Sequence, residues 1–429
     1  MRSACSSNLR AARRLLAIDP RLAQRDLATA CVCGEAAYVA RRLEHDPELA
    51  CLPLPPFGWD PILYACFSRL PREAPECGVG VQEVTRLLLA AGADPNASFD
   101  HEGWLQVALY GAAGIGNDAE LTRILLKAGA DPNDAGQRKV GEALYHACEF
   151  EDPACAALLI DGGTEAAVVT HCLGRALNFP NEAMVRAFCE RGARPRPAHL
   201  RQAVFRRRPV TTIELLLDAG ATADKANKAG FTALRIAARW GDEDTVALLM
   251  ARGADQSFIT DQDRELGAYL SGAEARRPAG AEGLNALAEE AISIGNVRLL
   301  GLLLDAGVPV DGDPTAEFTP LGQAAWRGRP AAVRELVDRG AKLRFDDGGS
   351  AIGATLHGLR HCQHPEGGPT MQTIDEIAPQ PYADIARFLL SRGAPVPDRM
   401  HDVEPDTPAT LLAELGIDDA PLPVPPAPA

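Results

Sequence analysis

The sequence predicts an all-α protein, a solenoid of about ten helix-turn-helix repeats with capping helices. Three observations predict this fold. Residues 230–255 read as two short helices joined by a tight turn, a Leu-Leu-x-x-Gly-Ala ending recurs along the chain, and the distance between these endings is nearly constant. A chain that repeats one short unit buries its apolar surface by stacking the copies. The 429 residues therefore need not divide into separate globular domains.

Residues 230–255 define the unit. The first half carries small apolar residues and reads as a thin helix, whereas the second half has Val246, Leu248 and Leu249 at helical spacing. Gly241 and Gly253 follow the two halves, where the left-handed conformation that glycine adopts easily ends a helix. Because helices shorter than about 12 residues are marginal in water, each unit needs copies of itself on both sides.

The copies are marked by the glycine of the Leu-Leu-x-x-Gly-Ala ending or of a close relative. This glycine recurs at Gly92, Gly129, Gly162, Gly192, Gly220, Gly253, Gly307, Gly340 and Gly393. Six of the eight intervals between successive glycines fall between 28 and 37 residues, and the other two are 53 and 54. The two long intervals indicate one repeat plus an insertion.

Some copies carry a more detailed pattern. Residues 318–328 read FTPLGQAAWRG and are followed by a Gly-Ala pair at Gly340, while residues 94–97 and 131–134 read DPNA and DPND. With a period near about 33, these sequences resemble the ankyrin-repeat family. The resemblance implies stacked helix pairs with a concave inner face on which protein partners bind. It names no partner, because a fold hosts sites without specifying them.

Taken in order, the chain predicts segments of different character. They are an N-terminal capping helix (1–25), repeats 1–7 (26–256), an insertion with an extra helix (257–283), repeats 8–10 (284–398) with a long loop near 363–381, a C-terminal capping helix (399–420) and a disordered tail (421–429). The arginines of the first segment are typical of a capping helix whose outer face is exposed to solvent. Prolines and glycines within 71–80 argue against a helix there, and the tail is rich in proline.

The individual repeats follow the same two-helix pattern. They are read at 27–50, from 58 to Gly92, 108–133, 144–163, 171–193, 200–221, 230–255, 284–308, 318–341 and from 351 to 394. The fifth and sixth are degenerate and are recognised mainly by position and ending. The register slips after residue 257, where 263–270 reads as an additional helix.

Composition limits the classes of function. The chain has 43 Lys and Arg against 58 Asp and Glu, a net charge of −15, which opposes nonspecific binding to nucleic acid or anionic lipid and favours a cationic partner. Apolar runs fall short of the roughly 18 residues of a membrane span, and the N-terminus lacks the apolar core of a signal peptide. Eleven scattered cysteines read as reduced thiols. We expect a cytoplasmic monomer that needs no cofactor. The amino-acid usage, rich in Ala and Arg and poor in Lys, resembles that of proteins from high-GC bacteria.

Large side chains recur just after the first helix of the repeats. They are Phe67, Phe150, Phe179, Phe205, Trp240, Trp326 and, by position, His357. By the resemblance they lie on the concave face, where an aromatic side chain is a typical interface anchor. Packing between helix ends is an equal alternative for the phenylalanines, whereas an exposed binding role is favoured for Trp240 and Trp326. The sequence thus predicts a noncatalytic scaffold that binds a protein or peptide.

A second hypothesis rests on four potential metal ligands within eight residues, His357, His361, Cys362 and His364. His357 and His361 are four apart and share a helix face, which Zn²⁺ can use. The spacing matches no zinc motif, so a helix end that runs into a polar loop is favoured. The alternative function is a metal-dependent enzyme or metal-binding module at 357–364. Catalysis is not otherwise predicted, because the nucleotide-binding, metalloprotease and nucleophile motifs are absent from the sequence.

Two further patterns are better explained by structure than by function. Arg206, Arg207 and Arg208, with Arg201 shortly before them, could hold phosphate or an acidic peptide, but three consecutive arginines fan around a helix end and favour a solvated turn. The Cys31-x-Cys33 pair lacks the two-residue spacer of a redox motif, and we interpret it as packing.

Overall fold

The structure is a computed structural model that describes residues 9–72, 74–101, 104–133, 142–228, 230–273, 284–314, 316, 318–345, 349–361 and 380–395. Residue contacts gather into two units, the first containing the described residues up to 228 and the second those from 230 onward. The predicted helical fold is confirmed, with one short hairpin in addition. The expected array at 26–256 stays a prediction; its repeat at 230–255 belongs to the second unit.

The first unit contains paired helices and one hairpin. Its α-helices are α1 (Leu9–Ile18), α2 (Leu27–Cys33), α3 (Ala36–His45), α4 (Pro61–Cys66), α5 (Pro75–Ala90), α6 (Ala119–Lys127), α7 (Glu142–Ala147), α8 (Ala154–Asp161), α9 (Ala166–Ala176), α10 (Glu182–Glu190), α11 (Pro197–Phe205) and α12 (Val210–Asp218). Its other elements are 3-10 helices at Pro20–Gln24, Pro47–Cys51 and Leu70–Arg72, a π-helix at Tyr110–Ile115, and antiparallel strands β1 (Ser98–His101) and β2 (Trp104–Val107).

The helices of the first unit form two rows. First helices pack on first helices, in the order α2, α4, π-helix, α7, α9 and α11. Second helices pack on second helices, in the order α3, α5, α6, α8, α10 and α12. Small buried residues such as Ala143 and Ala147 of α7 keep the first row thin. Each pair therefore buries its apolar faces against its neighbours, as stacking requires.

The Asp-Pro-Asn turns join successive pairs. The Asp94 carboxylate accepts the Asn96 amide at 2.8 Å. The Asn96 side chain donates to the Gly129 carbonyl at 3.2 Å and accepts the Asp131 amide at 2.8 Å, both in the next turn along the stack. Asn133 makes the corresponding two hydrogen bonds to the following turn, with the Gly163 carbonyl and the Glu165 amide.

The expectation that no helix forms at 71–80 is wrong, because α5 begins at Pro75. A proline in the first turn of a helix lacks only a donor that the helix does not use. Gly80 is helical and lies against the backbone of Gly34, where a Cβ would stand 2.2 Å from the Gly34 oxygen. The glycine therefore allows α5 to approach the end of α2 instead of breaking the helix.

The second unit contains the repeat that defined the pattern. Its helices are α13 (Ala233–Trp240), α14 (Glu243–Ala251), α15 (Asp261–Ser271), α16 (Leu284–Ser293), α17 (Val297–Asp305), α18 (Pro320–Trp326), α19 (Pro330–Asp338), α20 (Ala351–His361) and α21 (Gln380–Ser391), with a 3-10 helix at Gln256–Phe258. The Thr232 hydroxyl accepts the Arg235 amide at the start of α13. Gly241 and Gly253 have φ of 62° and 86°, so both predicted left-handed helix ends are confirmed.

Helix α15 lies in the segment interpreted as an insertion, but it packs like the first helix of a pair. It contacts α13, and Thr260 caps its start as Thr232 caps α13. A Cβ on Gly267 would stand 2.0 Å from the Ala238 oxygen, so the two backbones approach closely. The first-helix row of this unit therefore continues from α13 to α15.

Parts of the predicted layout lie outside the described residues. They include the middle of the long loop, the C-terminal capping helix and the tail. Among the helices that the structure does describe, none combines the length and the apolar composition that a bilayer span requires.

Candidate functional site

Three of the predicted aromatic anchors are buried. Trp240 is 1% exposed, Phe150 6% and Phe67 7%. The expectation of an exposed Trp240 is wrong, since its helix α13 is covered by α15, which the sequence did not place beside it. For Phe67 and Phe150 the packing alternative describes the structure better.

Three other anchors remain partly accessible. Phe179, Phe205 and Trp326 are half-buried. Trp326 stacks with Phe318, which is 47% exposed, at a ring-centroid distance of 5.6 Å. The Arg175 guanidinium lies 5.0 Å from the centre of the Phe179 ring. These residues keep surface that a partner could contact.

The proposed metal ligands have side chains outside the described part of the chain. His357 and His361 are in α20, but their side chains, and Cys362 and His364 entirely, lie outside the described residues. Elsewhere in the described part of the chain, no group of three or more His, Cys, Asp or Glu side chains is arranged to hold a metal ion. The metal hypothesis therefore stays a prediction.

A continuous series of aromatic rings crosses the first unit, and we call it the aromatic strip. In order of contact it comprises Phe57, Trp59, Phe99, Phe67, Tyr110, His146, Tyr145 and His171. Successive ring centroids are 4.1 to 6.1 Å apart, so each ring is in contact with the next. The strip begins in the loop before α4 and ends on α9, so its ring contacts span several repeats and pass through the buried Phe67. Phe57, at 36%, and His171 are its exposed ends.

A charged network holds one end of the strip. His146 lies 3.0 Å from Glu149 and 3.4 Å from Glu142, and Arg175 of α9 pairs with Glu149. Burial lowers the pKa of His146, but hydrogen bonds to Glu142 and Glu149 outweigh it and raise that pKa to about 9. The imidazole is therefore charged at neutral pH, and both ring nitrogens donate.

The same network fixes an aromatic ring. Burial raises the pKa of Glu149, but His146 and Arg175 outweigh burial and hold this pKa below its usual value. The guanidinium of Arg175 also lies 4.9 Å from the centre of the Tyr145 ring. Cation–π contacts of this kind are worth roughly 0.5–1 kcal/mol at partly exposed sites. Tyr145 is thus positioned before any partner arrives.

The sequence reasoning missed most of this strip because it aligned only the residue that follows each first helix. Tyr110, Tyr145 and His146 lie within or at the start of first helices. In the sequence these residues are visible as the Tyr145-His146 pair in α7 and as Tyr110 at the start of the preceding first helix. Such a pattern does not show whether a ring lies on the surface or in the core.

The basic run and the cysteine pair have structural explanations. Arg207 is exposed and left-handed, with φ of 51°, whereas Arg208 is only 7% exposed. The solvated-turn interpretation is therefore wrong for Arg208, because the turn directs that residue inward. Cys31 is buried, and burial raises the pKa of its thiol. A protonated, inaccessible thiol fits the packing interpretation.

Paired helices stacked in two rows, with glycine-ended turns and rings along the first row, define a repeat scaffold. Residues 229–262 match the family model described as ankyrin repeat. The chain therefore contains an ankyrin repeat at these residues. Domains of this type are typically protein-interaction modules, and the family is generally noncatalytic.

Similar proteins match part of the chain. "Ankyrin repeat, SAM and basic leucine zipper domain-containing protein 1" is 38% identical in Equus caballus, 36% in Otolemur garnettii and 35% in Mus musculus, each over 101 residues or 23% of this chain. The chain spans 21% of the length of these relatives. They are mammalian and give no support to a bacterial origin.

Similar solved structures include the ankyrin repeat domain of Bcl-3, described as a unique member of the IkappaB protein family. The match covers 46% of this chain and 87% of that one, with 24% identity and a TM-score of 0.37.

Proposed function

We propose that the protein is a noncatalytic scaffold that binds a protein or peptide through the aromatic strip of its first unit. The observation that carries this proposal is the unbroken series of ring contacts across several repeats, with exposed rings at both ends. Aromatic side chains give contact area at a small cost in conformational entropy and dominate many interfaces. The strip thus has the composition of a binding surface.

Preorganisation supports the same proposal. Arg175 and Glu149 hold Tyr145 in place before binding, so little affinity is lost in ordering the site. The net charge of −15 favours a partner with basic segments. In this proposal the protein acts as a cytoplasmic monomer, and in the second unit Phe318 and Trp326 provide a separate contact surface.

Affinity purification with the wild-type chain, followed by binding measurements on the purified partner, tests the proposal. The Phe57→Ala/Tyr145→Ala variant removes two rings of the strip. We expect it to bind the partner at least about tenfold more weakly, since anchor residues commonly contribute 2 kcal/mol or more. The matched control is Val79→Ala/Val210→Ala, which truncates exposed apolar side chains of the same unit outside the strip.

Equal affinities for the two double variants would refute the strip as the binding surface, provided that both retain the wild-type circular dichroism spectrum. The metal alternative is tested separately by titrating the purified chain with Zn²⁺. Stoichiometric binding that is lost in His357→Ala/His361→Ala would favour the metal-binding module, whereas substoichiometric binding would remove it.

A further inference from the structure

An open groove lies on the turn side of the first unit, beside the start of α9. Its volume is about 490 Å³, within the range of about 300–1,000 Å³ typical of ligand clefts. The start of α9 forms one wall, through Ala166, Ala167 and Thr170. Residues 194–197, which read Arg-Pro-Arg-Pro, form the opposite wall, and we call them the arginine strap. The lining includes two arginines and no carboxylate.

The arginine strap is fixed in place. The Arg194 amide donates to the Thr170 hydroxyl at 3.4 Å, and the Arg196 amide donates to His199 Nδ1 at 3.1 Å. Pro195 and Pro197 restrict φ and carry no amide hydrogen. The strap therefore presents its side chains without a large loss of backbone entropy on binding.

His199 is a suitable anchor because it is neutral. The imidazole is 9% exposed, and burial, followed by the charges of Arg196 and His171, lowers its pKa to about 4. At physiological pH its Nδ1 can therefore accept the Arg196 amide. Because the pKa of His199 is about 4, this bond does not depend on pH near neutrality.

The two arginine side chains of the strap are exposed to solvent. Within the described ranges neither one pairs with a carboxylate, whereas the nearby Arg191 is bound to Asp161 at 3.1 Å. The arginine strap therefore forms a small positively charged area in a chain whose net charge is −15. Guanidinium groups bind planar and tetrahedral oxyanions such as carboxylates and phosphates with two parallel hydrogen bonds.

We propose that this groove binds an acidic peptide segment with small side chains, its carboxylates paired with Arg194 and Arg196 and its small apolar groups against Ala166 and Ala167. An acidic peptide is favoured over a larger polyanion because the lining offers only two cations, and the wall formed by α9 carries small apolar residues. The groove lies in the same unit as the strip but shares no residue with it, so this assignment stands or falls independently of the proposed function.

The test is fluorescence anisotropy with the full chain and a labelled peptide of alternating aspartate and alanine. Its counterpart with asparagine in place of aspartate is the ligand control. The variant Arg194→Ala/Arg196→Ala should bind the aspartate peptide about tenfold more weakly, since it loses two charge-assisted contacts that solvent partly screens. The matched variant Arg41→Ala/Arg42→Ala removes two exposed arginines from α3 and should bind as the wild type does.

Three results would overturn the assignment. They are equal affinity for the two peptides, an equal loss in both arginine variants, and stronger binding of a short single-stranded RNA that the strap variant abolishes. The first two would indicate no carboxylate site at the strap, and the third would make the groove a polyanion site. Unchanged circular dichroism in both variants shows that each is folded.

Discussion

At the scale of single residues, the asparagines of the Asp-Pro-Asn turns connect neighbouring repeats. Asn133 donates from Nδ2 to the Gly163 carbonyl at 3.2 Å and accepts the Glu165 amide at Oδ1 at 2.8 Å. One side chain thus satisfies a backbone acceptor and a backbone donor of the next turn. A shorter residue could not span the gap, and a charged carboxylate could not donate.

We expect Asn133→Ala to lower the free energy of unfolding of the first unit by about 1–3 kcal/mol, because the backbone groups of the next turn lose their partners. Urea denaturation followed by circular dichroism measures the change. Glu165→Ala is the matched control, since only the backbone amide of Glu165 takes part in the bond and its side chain is exposed. A similar loss of stability in both variants would show that the effect comes from the turn sequence and not from the two Asn133 hydrogen bonds.

At the scale of elements, two close backbone contacts between elements depend on glycine. Gly80 lies on Gly34, and Gly267 lies on the end of α13. In both places a carbonyl oxygen occupies the space that a Cβ would take. These glycines set the distance between elements, which differs from the role of the left-handed glycines at helix ends.

We expect Gly80→Ala to destabilise the first unit by about 1–3 kcal/mol, the usual effect of overpacking. Gly78→Ala is a close control, because it lies in the same helix and its Cβ would meet only Pro71 Cβ, at an ordinary 3.5 Å. Alanine there should raise stability by up to about 1 kcal/mol through helix propensity. Opposite signs in thermal denaturation are the expected result; equal effects would contradict the proposed contact.

A buried ion cluster joins α13 to α15. Asp263 is fully buried, and its carboxylate accepts from Arg235 Nε and Arg239 Nη1, both at 2.8 Å, and from Thr260. Burial raises the pKa of Asp263, but the hydrogen bonds outweigh it and hold that pKa below its usual value. The ionised form therefore stabilises the folded state.

The pH dependence follows from this shift. The contribution of Asp263 is fully present above its unfolded pKa of about 3.9 and is lost as the pH falls through the lower folded value. We expect Asp263→Asn to reduce stability at pH 7 by about 3 kcal/mol or more, and this deficit to shrink in acid. Urea denaturation at several pH values measures the difference in unfolding free energy between the variant and the wild type. Asp261→Asn, whose side chain is 97% exposed, should change stability by less than about 0.5 kcal/mol at each pH.

At the scale of the whole molecule, stability is distributed among local contacts. Each helix pair contacts mainly its neighbours, and the contacts gather into two units. In such an architecture a defect in one repeat acts on the repeats beside it. The two units should therefore respond separately to matched substitutions.

Gly253→Val in the second unit and Gly129→Val in the first provide that comparison. Both glycines are left-handed, with φ of 86° and 95°, and in both a Cβ would meet no atom within 4 Å, so the substitutions add backbone strain without a clash. We expect each to destabilise its own unit by about 1 kcal/mol or more. Hydrogen exchange with mass spectrometry should show lost protection in the substituted unit alone. Loss of protection throughout the chain in both variants would contradict independent units.

The sequence by itself determined the repeat, the helix pairs and their glycine ends. These features depend on residues a few positions apart, as at Thr232, Gly241 and Gly253, so a local pattern can predict them. Only the tertiary structure decided which side chains are accessible. Trp240 and Tyr145 both belong to first helices, yet Trp240 is buried beneath a helix distant in the pattern and Tyr145 is not. Exposure depends on which helix packs on a face, and that contact joins residues that no local spacing relates.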